Sequence, residues 1–201
     1  MKFNHTAFFN NYRGVYGKLN QTQVSGIDNL LGYVELDPDI TDLRHAAYML
    51  ATVKHECADT FQPIVERGPK SYFNKYEPGT RIGNNLGNKV AGDGYLFRGR
   101  GYVQLTGRPN YEKMSVALAL GPEDELVTHP DNALHPEIAY RIMSYGMRHG
   151  TFTRKKLNDY INGSVCDYKN ARRIINGTDK AALIAGYAVN FETFLSNSMI
   201  A

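Results

Sequence analysis

Over residues 23–36 the apolar side chains Val24, Ile27, Leu30, Leu31 and Val34 recur at steps of three and four, the spacing of one helix face. Asp37-Pro38-Asp39 ends that run, because the residue before a proline is driven out of helical geometry. Thr41 is the expected N-cap of a second helix, which carries Leu43, Ala46, Ala47, Leu50, Ala51 and Val53 and ends around His55-Glu56-Cys57. Over residues 68–101 the pattern dissolves into polar, glycine-rich sequence, too long for an ordinary connection and so expected to be a functional loop. A helical period returns over 110–120 and again from Pro136, a residue suited to the first helical position. A short basic helix is expected over 167–176, stopped by Gly177, and Asp179 is expected to cap a last helix running to Phe194. The one alternating stretch is 101–107, where Val103 and Leu105 point one way and Tyr102, Gln104 and Thr106 the other. The pattern predicts a mainly α fold with a loop-rich central segment and at most a small β-hairpin. With no repeat or interdomain linker, residues 1–201 are expected to form one domain.

Composition narrows the classes. Among 201 residues, 42% are hydrophobic and 21% charged, which excludes a disordered or collagen-like chain. The balance of 23 basic against 20 acidic residues gives +3, too mild for a nucleic-acid binder but suited to an anionic partner. No apolar run approaches the ~20 residues of a membrane helix, and the N-terminal stretch has no continuous apolar core of a secretory signal. Cytoplasmic synthesis without stable membrane association is the expectation. Cys57 and Cys166 are then expected to be a reduced, buried pair. His45 and His55 lack the spacing of a zinc-binding helix and the other histidines are scattered, so neither metal nor organic cofactor is expected. Asn4, Asn20, Asn162 and Asn176 each begin an N-x-S/T triplet, which without secretion has no glycosylation meaning.

Two features carry chemistry. Glu56 closes an apolar helix and Glu66 follows ten residues later, in HECADTFQPIVERG. Hydrolysis of a glycosidic bond needs one carboxyl to protonate the leaving oxygen and another to activate water or stabilise the sugar cation. A helix C-terminus and apolar neighbours favour a protonated Glu56, and Arg67 beside Glu66 favours a charged base. Paired glutamates are more often a helix end and a surface ion pair, so the spacing alone is weak. The second feature is GDGYLFRGRGYVQLTGRPNY, residues 92–111. Gln104 and Thr106 offer an amide and a hydroxyl on one face, Tyr102 a flat ring, and the glycines close approach of backbone to ligand. A structural hairpin would read the same way.

The two features together resemble glycoside hydrolase family 19, and within it the phage endolysin and lysozyme-like branch rather than the plant-type chitinases. His55-Glu56, Pro63-Ile64-Val65-Glu66-Arg67-Gly68, the GRG-x-x-QLT-x-x-x-NY block and the late Ala171-to-Gly177 segment ARRIING match its motifs in order, over about residues 40–195. The resemblance implies a lysozyme-like helical fold of two lobes around a cleft, with the two acidic groups meeting there. It implies Glu56 as general acid and Glu66 as general base, with Thr106 holding the attacking water. It also implies Gln104, Asn110 and Asn176 as substrate contacts. His55 is expected to make a supporting hydrogen bond. In plant relatives the second glutamate lies further along, which makes Glu77 the alternative base. Tyr72, Phe73 and Tyr76 are expected to be sugar-stacking or loop-core groups. Arg98 and Arg100 bind substrate carboxylates or anchor the loop, with Arg100, between two glycines, assigned to anchoring.

The implied activity is inverting hydrolysis of β-1,4 bonds in peptidoglycan by a monomer that reaches the wall after holin-dependent or equivalent release. A chitinase is the alternative, and a non-catalytic wall-binding module the alternative of another class. Such a module would tend to lose the acid, whereas both Glu56 and Glu66 are present. A nucleic-acid partner built on Arg172-Arg173 has little electrostatic support.

Overall fold

The computed structural model describes residues 1–200. In chain order it has α1 (His5–Tyr16), α2 (Gln21–Leu36), α3 (Leu43–Glu56), β1 (Ile64–Val65), α4 (Arg81–Leu86), α5 (Asp93–Leu96) and β2 (Arg100–Gly101). There follow α6 (Arg108–Ala117), α7 (Pro136–His149), β3 (Ile161–Asn162), β4 (Val165–Cys166), α8 (Tyr168–Ala171) and α9 (Ala181–Ser198). Short 3-10 turns cover Lys70–Tyr76, Pro130–Leu134, Leu157–Asp159 and Arg172–Ile174. The helical architecture and the paucity of β-structure match the sequence expectation. The chain divides into two compact units, residues 1–62 with the chain from 143 onward, and residues 63–142.

The first unit is built on α3. Its residues His45 to Lys54 are all buried, as expected of a helix enclosed on every side. Three alanines, Ala46, Ala47 and Ala51, keep its girth small, and α9 packs along it, with α1 and α8 against α9 in turn. Phe8, Tyr12, Phe61, Phe191 and Phe194 interlock at one end, with Phe8 and Phe194 edge to face at 6.0 Å and Tyr12 and Phe194 at 5.9 Å. Full burial of side chains of this size stabilises by about 1.5–3 kcal/mol each. Lys54 is buried among these rings. Its Nζ donates to the Asp59 carboxylate at 2.6 Å and the Tyr12 hydroxyl at 2.8 Å, and lies 4.3 Å from the Tyr16 ring centre. That contact fixes the turn after α3, where Ala58, Asp59 and Phe61 all have positive φ.

The second unit surrounds Phe73, Phe97, Tyr102, Tyr111 and Met114. Strand β1 pairs antiparallel with β2 in the register Ile64 with Gly101 and Val65 with Arg100. Arg100 is buried and anchors the loop, donating to the Asp131 carboxylate at 2.7 Å and to the Leu96 carbonyl at 2.8 Å. Arg108 pairs with buried Asp93 at 2.6 Å.

Several local expectations change. Helix α1 escaped the pattern because only Phe8, Phe9 and Tyr12 mark its buried face. Asp42, not Thr41, caps α3, because its carboxylate accepts the Arg44 N–H and also grips the Arg44 guanidinium. Asp179 does not cap α9. Lys180 stands there in the left-handed region, and the Asp179 carbonyl is taken by Arg172. Asn4 and Asn20 are the N-caps of α1 and α2. Of residues 101–107 only Gly101 lies in a strand, at the end of β2. Gly101, at φ +85°, opens a turn that closes with paired hydrogen bonds between Arg100 and Leu105, and Gln104 is itself at φ +54°. The central loop holds α4, α5 and the 3-10 turn 70–76, each too short to show a period. Cys57 is buried but Cys166 is exposed, and the two are not joined by a disulfide.

Candidate functional site

In the first unit, Glu56 ends α3. The expected apolar setting is replaced by an ion pair, with Arg172 Nη1 2.5 Å from Glu56 Oε1. Arg172 is itself buried and its Nε donates to the Asp179 carbonyl at 3.0 Å. The basic pair Arg172-Arg173 therefore splits, with Arg172 turned inward and Arg173 exposed. The Asn176 N–H bonds back to the Arg172 carbonyl at 3.0 Å, so the late ARRIING segment and the end of α3 form one cluster. The Asn176 side chain is exposed. His55 is half-buried, and its ring makes no hydrogen bond among the described residues, so the supporting bond expected of it is not made.

In the second unit, β1 delivers Glu66 beside Gly99. The Glu66 N–H donates to the Gly99 carbonyl at 2.8 Å, and the Gly99 N–H returns to Glu66 Oε2 at 3.2 Å. The Tyr76 hydroxyl donates to Oε1 at 2.9 Å. Burial and this carboxylate together push the Tyr76 phenol above its ordinary range, which keeps it a donor. Arg67 is exposed and makes no salt bridge among the described residues, so Glu66 is held by a phenol and a peptide N–H rather than by its neighbouring cation. Tyr76, expected from the sequence to be a sugar-stacking or loop-core group, is thus a hydrogen-bond partner of Glu66.

The remaining candidates form a relay of inward bonds. Asn110 Nδ2 donates to the Thr106 carbonyl at 2.7 Å, Thr106 Oγ1 to the Gln104 carbonyl at 2.8 Å, and Gln104 Nε2 to the Ile64 carbonyl at 3.0 Å. Gly99 is where they converge. A methyl added there would lie 2.8 Å from Gln104 Oε1 and 3.3 Å from Thr106 Oγ1. The same glycine thus touches Glu66, Gln104 and Thr106, by a turn rather than by the strand alternation expected. Tyr102 is a correction, since its ring is 0% exposed and offers no surface to a sugar. Glu77 Oε2 accepts the Gly92 N–H at 2.7 Å, and Gly94 packs so closely that a methyl would come within 2.8 Å of Oε1, so this carboxylate braces the loop. No grouping of three or more His, Cys, Asp or Glu fit to hold a metal occurs among the described residues. No described helix is long and apolar enough to cross a membrane.

No protein-family model matches the sequence, and no curated protein does. Solved structures do. Chitinase C from Streptomyces griseus HUT6037 superposes with a TM-score of 0.59 at 16% identity, covering 96% of this chain and 76% of that one. A bacterial family 19 chitinase superposes with a TM-score of 0.56 at 17% identity, covering 97% and 94%. With the helical architecture and the two small antiparallel sheets, these superpositions show that the chain has the mainly α, lysozyme-like fold of the family 19 chitinases.

Proposed function

We propose that this protein is a glycoside hydrolase acting on β-1,4-linked N-acetylated amino-sugar polymers, with bacterial peptidoglycan as its substrate. The observation that carries the reading is the convergence of Glu66, Gln104 and Thr106 on Gly99, in a chain that shares the chitinase fold. Glu66 is the base. Its two oxygens are oriented by the Tyr76 hydroxyl and the Gly99 N–H, and each keeps a lone pair for the proton of the attacking water. Thr106 Oγ1 has its proton committed to the Gln104 carbonyl, so it meets that water as an acceptor and fixes its direction.

Glu56 is the acid. Arg172 occupies Oε1, which leaves Oε2 to carry the proton delivered to the leaving oxygen. The reaction inverts the anomeric centre, with water attacking opposite the leaving group. Gln104, Asn110, Asn176 and His55 contact the substrate. Chitin is the second reading, favoured by the chitinases among the structural neighbours. Incubation with purified peptidoglycan and with chitin oligomers, followed by reduction and mass spectrometry of the new ends, distinguishes the two. Peptidoglycan fragments with reduced N-acetylhexosamine ends support the reading. Release from chitin oligomers alone shifts the substrate to chitin, and wall binding without new ends leaves a non-catalytic module. Proton NMR of the first product formed is expected to show the α-anomer.

A further inference from the structure

The 3-10 turn Lys70–Tyr76 and the segment ending at Gly99 set three cations on tyrosine rings of the second unit, and the Phe73 ring joins the two sets, 5.2 Å from Tyr72 and 5.5 Å from Tyr95. Lys75 Nζ lies 3.4 Å from the Tyr72 ring centre and 4.7 Å from that of Tyr76. The Arg98 guanidinium lies 4.1 Å from the Tyr95 ring centre, and Lys70 Nζ lies 5.6 Å from the same ring. Tyr72 and Tyr95 are 45% and 37% exposed, so the array opens to solvent rather than closing a core. No carboxylate lies within ion-pair distance of Lys70, Lys75 or Arg98 among the described residues, although Arg44, Lys54, Arg100, Arg108, Arg148 and Arg172 all have one.

The array is tied to Glu66 through its own donors. Lys75 immediately precedes Tyr76 and Arg98 immediately precedes Gly99, the two groups that hold the Glu66 carboxylate. Aromatic backing fixes long side chains that would otherwise wander, so their charges are presented in place before any ligand arrives.

We propose that Lys70, Lys75 and Arg98 on their tyrosine backing form a subsite for the carboxylate substituents of an anionic amino-sugar polymer, so that the site beside Glu66 prefers carboxylated glycan to neutral chitin. The proposal rests on the hydrolase reading and names the substrate feature that its site selects. A neutral polysaccharide gives three unpaired cations nothing to meet. In a peptidoglycan strand the lactyl group of every second sugar carries either a free carboxylate, where the stem peptide has been removed, or a peptide with carboxylates of its own, and stacked, partly desolvated cations suit both.

The test measures equilibrium binding of two soluble probes to the full chain, alongside turnover of each. One probe is a peptide-free peptidoglycan glycan strand with its lactyl groups intact, and the other is a chitin hexamer. Affinity for the carboxylated strand is expected to fall at least about threefold between 50 and 200 mM NaCl, with little change for the hexamer. A folded Lys75→Gln/Arg98→Gln double variant is expected to lower the ratio of the two affinities about tenfold and to flatten the salt dependence. Salt-independent strand binding by the wild-type protein, equal losses on both probes, or no binding of the strand would overturn the subsite. Salt-dependent binding without turnover would instead retain the subsite and remove the hydrolase reading, whereas turnover with salt-independent binding would do the reverse.

Discussion

Replacing Arg172 by Met tests the architecture around Glu56 without touching the carboxylate. The Arg172 side chain is 3% exposed and the Glu56 side chain 17%, so the guanidinium is inside while its partner is partly wet. Truncation leaves Glu56 Oε1 without the donor it has at 2.5 Å and the Asp179 carbonyl without the one at 3.0 Å. Breaking a fully buried pair costs about 3–5 kcal/mol, and the water that reaches Glu56 reduces this to about 2–3 kcal/mol. At about 2–4 °C per kcal/mol for a chain of this size, the melting temperature is expected to fall by about 5–10 °C. Glu56→Gln keeps an acceptor for Nη1 and is expected to cost about 1 kcal/mol. In the double variant the lost guanidinium no longer strands a charge, so the urea-melt cycle is expected to show a coupling of at least about 1 kcal/mol. Additivity within about 0.5 kcal/mol, or an unchanged melting temperature in Arg172→Met, would refute the ion pair as the element that fixes the end of α3.

Gly99→Ala pushes a methyl against Gln104 Oε1 and Thr106 Oγ1, and is expected to cost about 1–3 kcal/mol and at least about tenfold in turnover. Wild-type turnover in that variant would remove Gly99 from the centre of the site. Glu125 is held down to about 2 although burial opposes it, by the N–H groups of Thr128 and Val127 and the hydroxyls of Thr128 and Ser115. Its stabilisation is complete above the ordinary 4.5 and is lost as pH falls toward about 2, so acid melts of Glu125→Gln are expected to show a shallower decline than wild type across that window. Cys166 is exposed, whereas burial and then the neighbouring Glu56 charge push the Cys57 thiol up to about 12. One thiol per chain is expected to react with a disulfide reagent in the native protein and two in denaturant, and two fast native thiols would contradict the packing around Cys57.

What the sequence disclosed follows from the range of each signal. Helices α2, α3 and α7 repeat their apolar face over several turns and were legible nearly to their ends. Helices α4 and α5 have one or two turns, and what marks them is the loop itself, including a Thr80 cap and the Asp93 carboxylate on the Val90 N–H. The stretch 101–107 keeps its odd and even positions, buried and part-open, from Val103 to Gly107, but Tyr102 is buried against the pattern and the backbone turns instead of running on as a strand. Glu56 and Glu66 were visible through their motifs. Their partners were not, because Arg172 lies far along the chain and Tyr76 sits among rings that equally suit a loop core. Local spacing names the residues that carry charge, and tertiary contacts decide what faces them.

The central claim is that Glu56 and Glu66 carry proton transfer in hydrolysis of the wall glycan. Its most direct measurement is the initial rate of reducing-end release from purified peptidoglycan by wild type, Glu56→Gln and Glu66→Gln, each verified as folded by its melting curve. The account predicts release by wild type and a loss of about 10²–10⁴-fold in each variant. Either variant within a few-fold of wild type would contradict it.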